Sequence, residues 1–397
     1  MNMIDHKRVT ICYVGGDDIH MRIPLLQNLR RRGWTVCVIG SDGRAHFDQA
    51  KIPYYQYDLK RGMGPYSDIV ALFQLVKLFA KIKPEIVHAF DTKPGMLMPI
   101  AARKNNIRGI IRTITGMGYI FSLNSITGWP LQLVYRTLQR IICRFTDMTI
   151  FQNSDDYGYF LENDLCTDNN SALVLGSGLD LTEFMCPNLD DETINSLRSE
   201  FGLIGGITVT MISRLIKYKG VEQFLKAAQI LHERYSDLNF LLVGPHESEG
   251  RQAINQDLLE KYSTFVKYLG PRQNIREILL LSDIFVLPSY YREGIPRVLL
   301  EAGAMGLPLV TTNMPGCRDV VRDGWNGLII EPRSVDSLVV ALERLILSPA
   351  QRSDMGKRNI EYIKEHFDLK IVAKSYSEIY ESLLQNYGAQ SPAGDLL

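Results

Sequence analysis

The chain has 397 residues, enough for about two to three domains, so it can bury more than one hydrophobic core. Hydrophobic residues make up 46% of it and charged residues 22%, which excludes a disordered, collagen-like or mainly coiled-coil protein. The 44 basic and 44 acidic residues cancel, but residues 1–150 hold 21 Lys and Arg against 10 Asp and Glu. This basic first part favours an anionic partner there, unless the charges are only scattered over solvated helix faces.

Neither the cysteines nor the apolar segments indicate a secreted or membrane-spanning protein. The six cysteines are widely spread without a C-x-x-C pair, which is neither a disulfide framework nor a zinc-binding pattern. The apolar run Val9–Val14 is too short for a signal peptide, and no uninterrupted apolar stretch reaches the ~18 residues of a membrane span. We therefore expect a protein of a reducing compartment that is cytoplasmic or peripheral to a membrane.

The first part of the chain alternates between apolar, β-prone segments and amphipathic helical segments. The predicted elements are strand Val9–Val14, a turn at Gly15 and Gly16, helix Ile23–Arg32, strand Thr35–Ile39, helix Ile69–Ile82, strand Ile86–Phe90, helix Pro94–Asn105, strand Gly109–Thr115, helix Trp129–Phe145 and strand Met148–Gln152. Such repetition predicts a parallel sheet with helices on both faces, as in a Rossmann-like domain. The paired glycines alone are a weak signal for phosphate binding, because no G-x-G-x-x-G and no Walker A motif is present.

A polar stretch from Pro187 to Leu203 interrupts this alternation, which then begins again. The later predicted elements are strand Ile207–Ile212, helix Val221–Tyr235, strand Asn239–Val243, strand Val266–Leu269, helix Ile275–Leu281, strand Ile284–Pro288, helix Val298–Met305, strand Pro308–Thr311 and helix Val335–Leu347. The expected fold is α/β, with two doubly wound Rossmann-like domains facing a central cleft. We place the first domain at residues 1–187, the second at 188–372, and a helix that returns to the first domain at 373–397.

Two glutamates eight positions apart bracket the predicted junction between the strand Ile284–Pro288 and the next helix. Glu293 lies in the loop and Glu301 about two turns into the helix. Between them, Pro296 near the helix start leaves the backbone N–H groups of Gly294, Ile295 and Arg297 free to bind an anion, so we expect these four residues to bind the donor. Carboxylates accept hydrogen bonds from sugar hydroxyls, so this segment predicts a site for a pyrophosphate flanked by two sugars, a nucleotide-sugar. The alternative is a pair of solvated surface charges.

A basic loop follows the first strand of the predicted second domain. It runs from Ser213 to Gly220 and contains Arg214 and Lys219, at the end of a strand where such folds bind ligands. Arg214 can bind a diphosphate by bidentate hydrogen bonds and Lys219 can bind it as a point charge. Because the glutamate segment belongs to the same domain, we expect both segments to form one anion site rather than two solvated loops.

These segments resemble the donor-binding signature of the retaining glycosyltransferases of family 4, which have two Rossmann-like domains in the GT-B fold. The matched patterns are S-R-L-x-x-x-K-G at Ser213–Gly220 and E-x7-E at Glu293–Glu301, supported by F-V-L-P-S before the second pattern and by P-G-C-R-D and N-G-L after it. The resemblance implies that Arg214 and Lys219 hold the donor diphosphate and stabilise the leaving nucleoside diphosphate. It further implies that Glu293 contacts the transferred sugar and that Glu301 contacts the ribose hydroxyls.

The segments Ile86–Gly95 and Thr113–Phe121 look like the branch of that family that builds bacterial capsule, O-antigen and related lipid-linked glycans. Many family members carry V-H-x-H in the first segment, with the second histidine near the reacting sugar, but this chain has Phe90 there. We therefore take Asp91 as the catalytic candidate, whereas His88 is either a polar contributor or a satisfied strand histidine. The remaining candidates are Lys93, Gly116 and Tyr119 for the acceptor, and Gly16 and Gly270 for the donor, Gly270 near the base.

The resemblance implies transfer with retention of anomeric configuration. No carboxylate stands out as a covalent nucleophile, so we expect front-face displacement, with charge on the diphosphate stabilised by Arg214, Lys219 and the helix N-terminus. This division of roles needs no metal or other cofactor, and the acid pairs Asp17-Asp18 and Asp155-Asp156 are expected in turns or caps. The expected donor is a UDP-hexose or UDP-N-acetylhexosamine. The alternatives are a non-catalytic nucleotide-sugar-binding subunit and an epimerase on a similar scaffold.

The predicted helix Trp129–Phe145 indicates where the basic part of the chain meets its anionic partner. Arg136, Arg140 and Arg144 follow one another at intervals of four residues and so form a basic stripe. The stripe favours docking on an anionic leaflet at the inner face of the plasma membrane, which suits a glycan acceptor linked to a polyprenyl diphosphate. The alternative is a helix half-buried on the sheet with a wet basic edge. Nucleic acid is not expected as a partner, because no aromatic-basic interleave or known motif is present.

Overall fold

The computed structural model describes residues 9–60, 64–118, 121, 128–184, 190–203, 205–246 and 252–390. The chain forms two compact units, an N-terminal unit of Met1–Gly178 with Leu369–Leu397 and a C-terminal unit of Leu179–Asp368. Both divisions lie earlier along the chain than the positions 187/188 and 372/373 that the sequence suggests. The first of the suggested positions rests on the polar stretch Pro187–Leu203. That stretch contains the helix Asp191–Glu200, none of whose residues is buried, so its polarity is that of an exposed helix.

The N-terminal unit contains a parallel sheet of seven strands. The strands are β1 (Thr10–Val14), β2 (Thr35–Gly40), β3 (Tyr54–Gln56), β4 (Ile86–Phe90), β5 (Gly109–Ile114), β6 (Met148–Phe151) and β7 (Ser171–Leu173). Their order in the sheet is β3-β2-β1-β4-β5-β6-β7. The helices described between these strands are α1 (Ile23–Arg31), α2 (Arg44–Gln49), α3 (Pro65–Ile82), α4 (Thr92–Lys104), α5 (Gly128–Cys143) and α6 (Ser154–Glu162).

Both faces of this sheet are buried, as the continuous apolar runs of its central strands require. In β1, Ile11 and Tyr13 belong to the core on one face, whereas Cys12 and Val14 belong to the core on the other. This alternation leaves the carboxyl ends of the strands as the edge available for ligands. The helix α4 begins before Pro94, which the first turn tolerates because its missing N–H has no acceptor within the helix.

The C-terminal unit repeats this architecture, which confirms the expected α/β fold class. Its strands are β8 (Ile207–Ile212), β9 (Leu238–Val243), β10 (Lys267–Tyr268), β11 (Ile284–Leu287), β12 (Leu309–Thr312) and β13 (Gly327–Ile330), in the parallel order β10-β9-β8-β11-β12-β13. Its described helices are α7 (Leu181–Phe184), α8 (Asp191–Glu200), α9 (Val221–Arg234), α10 (Gln256–Lys261), α11 (Ile275–Leu280), α12 (Arg297–Ala304), α13 (Cys317–Val320), α14 (Val335–Ile346) and α15 (Pro349–His366).

The last described helix, α16 (Leu369–Gln390), belongs to the N-terminal unit and packs against α1. It contributes buried residues to the core that contains Ile11 and Tyr13 of β1, namely Leu369, Val372, Ala373, Tyr376, Tyr380 and Leu383. The Tyr380 hydroxyl lies 2.5 Å from the Tyr13 hydroxyl and 2.7 Å from His88 Nδ1. The final helix therefore completes both the apolar core and a buried polar cluster of the unit that begins the chain.

Candidate active site

The loop after β8 holds the predicted basic motif close to the loop after β11. Lys217–Lys219 forms one 3-10 turn that leads into α9 through Gly220. A Cβ at Gly220 would overlap the carbonyl oxygen of Pro288, so only glycine permits this approach of the two loops. The Tyr290 amide donates to the Tyr218 carbonyl at 2.9 Å and fixes the register of the two loops.

Lys219 and Glu293, the two predicted residues at the centre of the site, form an ion pair. Their side chains are only 14% and 13% exposed, so the pair is largely removed from solvent. The Ser289 hydroxyl, which is fully buried, donates to Glu293 Oε1 at 3.0 Å. The Lys219 ammonium also lies 6.0 Å from the centroid of the Tyr291 ring. The structure thus brings the two residues together and fixes the Glu293 carboxylate from two sides.

The N-terminus of α12 forms the second part of the site. Pro296 is the N-cap, and in the described part of the chain the amides of Gly294, Ile295 and Arg297 donate no hydrogen bond outside regular helix or strand pairing. Three amides at the positive end of a helix dipole bind an anion readily. The backbone of Gly316 lies directly against the Gly294 carbonyl, where a Cβ would overlap the oxygen. This contact supports the loop from the side of β12.

Glu301 lies one helical turn after Arg297, and the two side chains pair. Arg297 Nε donates to Glu301 Oε1 at 2.7 Å. Burial raises the pKa of the Glu301 carboxyl, and the charge of Arg297 opposes that rise. A buried carboxylate with one oxygen bound to Arg297 keeps lone pairs for sugar hydroxyls.

The other predicted residues of this unit occupy the same sheet edge. Arg214 is exposed just after β8, and Ser213 directly precedes it. The Gly270 carbonyl accepts a hydrogen bond from the Gly244 amide at 2.9 Å, and a Cβ at Gly270 would meet nothing within 4 Å. Open space beside this partly exposed glycine leaves room for a base to contact main-chain groups there, as we expect.

The predicted residues of the N-terminal unit lie at the carboxyl edge of its sheet. Gly16 follows β1, and Asp91 follows β4, where Thr115 Oγ1 donates to its Oδ1 at 3.2 Å. Gly116 follows Thr115 in the loop after β5 and has φ +130°. Lys93 is paired with Asp68 of α3 at 2.6 Å, so its charge is partly neutralised. Tyr119 lies outside the described residues.

Asp91 has a backbone conformation that a non-glycine residue rarely adopts. Its φ is +71° and its ψ is 164°, a region in which a side chain costs roughly 1–3 kcal/mol. Such strain persists where the surrounding structure imposes it, commonly at functional sites. The strain therefore agrees with the selection of Asp91 as a candidate for substrate contact.

Asp91→Gly separates stability from function at this position. We expect the substitution to raise the free energy of unfolding by about 1 kcal/mol and to lower sugar transfer, though by less than loss of Lys219 does. The checks are thermal unfolding and a transfer assay. Asp164→Gly, at another non-glycine residue with positive φ, serves as control, and it should stabilise without changing transfer. Unchanged transfer in Asp91→Gly would remove Asp91 from the site.

His88 is a satisfied core residue rather than a catalytic one. Its Nε2 lies 2.7 Å from Thr113 Oγ1, and its Nδ1 contacts Tyr380. Burial, together with the nearby charge of Arg22, lowers the pKa of His88 well below its ordinary value, so the ring is neutral. Of the acid pairs, Asp156 accepts from the amide of Met117 at 3.0 Å, and Asp17 accepts from the Ser41 hydroxyl at 2.6 Å. Asp17 lies in a 3-10 turn, as expected, whereas Asp156 lies in the first turn of α6, whose N-cap is Asn153.

Sequence reasoning missed Ser289 and Gly316 as site residues. Ser289 could have been identified from the sequence, because it ends the F-V-L-P-S match, four residues before Glu293. Gly316 lies in the matched P-G-C-R-D segment, but only the fold brings it against Gly294. Within the described ranges, no group of three or more His, Cys, Asp or Glu side chains has a geometry that could hold a metal ion. None of the described helices has both the length and the hydropathy of a membrane span.

Both units match models of one enzyme class. Residues 10–153 match the family described as "Glycosyl transferase 4-like", and residues 199–362 match "Glycosyl transferases group 1". An Escherichia coli relative, UDP-Gal:alpha-D-GlcNAc-diphosphoundecaprenol alpha-1,3-galactosyltransferase, is 30% identical over 312 residues, 76% of each chain. A Campylobacter jejuni relative, N,N'-diacetylbacillosaminyl-diphospho-undecaprenol alpha-1,3-N-acetylgalactosaminyltransferase, is 24% identical over 382 residues, 95% of this chain and 98% of the relative.

The fold agrees with that of solved structures. Alr3699/HepE from Anabaena, in a crystal structure with UDP and glucose, has a TM-score of 0.77 at 18% identity, covering 94% of this chain and 100% of that one. At this identity the similarity shows the fold, which is the GT-B fold of two Rossmann-like domains. With a family 4-like domain in its N-terminal unit and a group 1 domain in its C-terminal unit, the chain belongs to the glycosyltransferases, as its motifs suggested.

Proposed function

We propose that this glycosyltransferase moves a hexose or N-acetylhexosamine from a UDP-sugar to a hydroxyl of a growing bacterial surface glycan linked to a polyprenyl diphosphate, with retention and without a metal. The single observation that carries the donor site is the Lys219–Glu293 pair beside the α12 N-terminus, a cation, a carboxylate and three amides in one place. The acceptor class is supported by the two bacterial relatives, whose names specify diphosphoundecaprenol-linked substrates.

The chemistry follows from the charges at this site. As the bond between the anomeric carbon and the diphosphate oxygen breaks, negative charge grows on the leaving diphosphate, and Lys219, Arg214 and the α12 amides stabilise it. The anomeric carbon forms its new bond to the acceptor oxygen on the same face, and the acceptor proton passes to a phosphate oxygen. Glu293 orients the transferred sugar, and Glu301 binds the ribose hydroxyls. Retention is supported by the alpha linkages in the names of both relatives, since an alpha product from an alpha-configured donor is a retained one.

A panel of nucleoside diphosphates and nucleotide-sugars tests the donor site by thermal unfolding, because a ligand that binds only the folded state raises its Tm. We expect a selective shift with uridine ligands that survives EDTA. The same donors are then assayed for transfer to a synthetic polyprenyl-diphosphate sugar, with the product configuration read by NMR. An inverted product contradicts retention, and loss of transfer in EDTA contradicts metal independence. Binding without any transfer favours the non-catalytic subunit, and conversion of the free nucleotide-sugar to its epimer favours the epimerase.

One surface of the N-terminal unit suits a membrane-linked acceptor. The helices α3, α4 and α5 lie side by side, since α4 contacts both of the others. They expose large apolar side chains, which we call the apolar face: Tyr66, Ile69, Phe73, Ile100, Trp129, Leu131, Leu133, Val134, Leu138 and Ile141. Lys77 and Lys81 are exposed on α3. Apolar side chains with basic neighbours are typical of interfacial binding to an anionic leaflet.

The basic stripe is less prominent than the sequence suggests. Arg136 and Arg140 donate to the side chain and the carbonyl of Asn163, at 3.3 and 3.2 Å, and Arg144 lies beyond the end of α5. The exposed apolar side chains are therefore the larger feature of this helix. We propose that they anchor the unit peripherally at the inner face of the plasma membrane, with the basic residues adding electrostatic attraction.

Replacing Trp129, Val134 and Ile141 together by Ser tests this surface. Because these side chains are 62%, 56% and 45% exposed, the fold should tolerate the change, whereas binding to vesicles that contain phosphatidylglycerol should fall by about 10-fold or more. The measurement is co-sedimentation with anionic and neutral vesicles. The control variant, Val340→Ser with Leu347→Ser, removes exposed apolar side chains from the C-terminal unit and should bind as the wild type does. Equal binding by both variants would contradict the proposal.

A further inference from the structure

Phe90 stands where many family members have a histidine, and the guanidinium of Arg22 lies over its ring. Phe90 ends β4 and is 1% exposed. Its ring stacks on His88 with centroids 4.5 Å apart and on Tyr13 with centroids 5.6 Å apart. Arg22 Cζ lies 4.6 Å from the Phe90 centroid, a cation–π contact. Three stacked rings thus hold Arg22 in a defined place at the carboxyl edge of the sheet.

A second contact fixes the orientation of the Arg22 guanidinium. Its Nη1 donates to the hydroxyl of Ser177. That hydroxyl also accepts from Gln152 Nε2 at 3.0 Å, and the same amide donates to the Gly176 carbonyl at 3.1 Å. Since Gln152 follows β6 and Gly176 follows β7, the loops after two further strands position Arg22.

In the described part of the chain, the positive charge of Arg22 is not part of an ion pair. None of the ion pairs between described residues includes Arg22, so no carboxylate oxygen lies within 4.0 Å of its guanidinium there, and the neighbouring His88 is neutral. Arg22 is also only half-buried, so its remaining N–H groups are accessible. A fixed, uncompensated guanidinium is suited to bidentate recognition of a phosphate group.

We propose that Arg22, with the Ser177 hydroxyl, binds the diphosphate of the lipid-linked acceptor. This proposal rests on the proposed function and names the group by which the acceptor is recognised. In a sugar diphosphate the phosphate and the reacting hydroxyl belong to one small molecule, and Asp91 directly follows Phe90 along the chain. When the acceptor carries a single sugar near Asp91, its diphosphate therefore lies near Arg22. Phenylalanine suits position 90 because a protonated histidine there would repel the guanidinium.

Two synthetic acceptors test the proposal on the full chain. They carry the same sugar and lipid, joined through a diphosphate in one and through a neutral ether in the other. We expect Arg22→Gln to lower kcat/KM about 10- to 100-fold with the diphosphate acceptor and to leave the ether acceptor unchanged. Arg22→Lys should fall between, because it keeps the charge but loses the fork. Arg32→Gln, which removes an exposed arginine after the other end of α1, should change neither.

Other outcomes separate the proposal from its alternatives. An equal loss with both acceptors, or a raised KM for the donor alone, would overturn it, and so would full activity of Arg22→Gln. If the wild type transfers to neither acceptor, the proposed function fails, and calorimetry with a short-chain prenyl diphosphate still tests the site. Binding that Arg22→Gln abolishes supports the anion site in that case, and absence of wild-type binding refutes it. A Tm equal to that of the wild type confirms that Arg22→Gln is folded.

Discussion

Lys219→Ala should abolish most sugar transfer, lowering kcat by about 100- to 1000-fold. The ammonium is the largely buried cation at the proposed diphosphate site, and a preorganised charge at a developing anion is commonly the largest single contribution to catalysis. The substitution also leaves Glu293 with its Ser289 contact but without its cation, so some loss of stability accompanies the loss of activity. Steady-state transfer kinetics and thermal unfolding measure the two effects.

A neutral pair distinguishes catalysis from stability. Lys219→Met combined with Glu293→Gln removes both charges and should regain stability relative to Lys219→Ala, yet it should remain inactive. Lys374→Ala, in the exposed pair with Glu378 at 3.7 Å, is the matched control and should leave both transfer and stability near wild type. Full activity of Lys219→Ala would remove the proposed diphosphate site.

Gly316→Ala should cost at least about 2 kcal/mol of stability and should also abolish donor binding. Gly316 has φ +79°, and a Cβ there would overlap the carbonyl oxygen of Gly294. Because backbone cannot yield as a flexible side chain does, the loop before α12 must move, and the amides of Gly294 and Ile295 move with it. Thermal unfolding with and without UDP measures both effects.

The control for this prediction lies in the same unit. Gly324 has φ +71°, but a Cβ there would meet nothing within 4 Å. Gly324→Ala therefore introduces the backbone strain without the collision, and should cost about 1 kcal/mol while donor binding stays intact. If both variants lose UDP binding equally, strain alone is the cause and the Gly294 contact is not needed.

The sequence predicted the strands of both sheets well, for a physical reason. Buried parallel strands read as short apolar runs, so Ile86–Phe90 and Ile207–Ile212 have the expected bounds. The spacing of Glu293 and Glu301 also placed one residue in a loop and one in a helix, because it spans a strand-to-helix junction that Pro296 marks.

The contacts between distant residues could not be read from the sequence. Lys219 and Glu293 were each assigned a ligand, but their ion pair joins residues 74 positions apart through the approach of two loops. Arg22 drew no attention, because its meaning depends on the ring of Phe90 in another strand. The exposure of the apolar side chains of α5 was likewise hidden, since the helical pattern alone does not show which apolar side chains face the sheet.

The position of α16 has a consequence for how the chain folds during translation. The C-terminal unit is one continuous segment, Leu179–Asp368, and can fold as soon as it has emerged. The N-terminal unit emerges first but finishes last, because Tyr376, Tyr380 and the other buried side chains of α16 are the final part of its core to be synthesised. Its incomplete sheet must therefore be protected from aggregation through most of translation. The N-terminal unit, although it is synthesised first, thus depends on chaperones more than the C-terminal unit does.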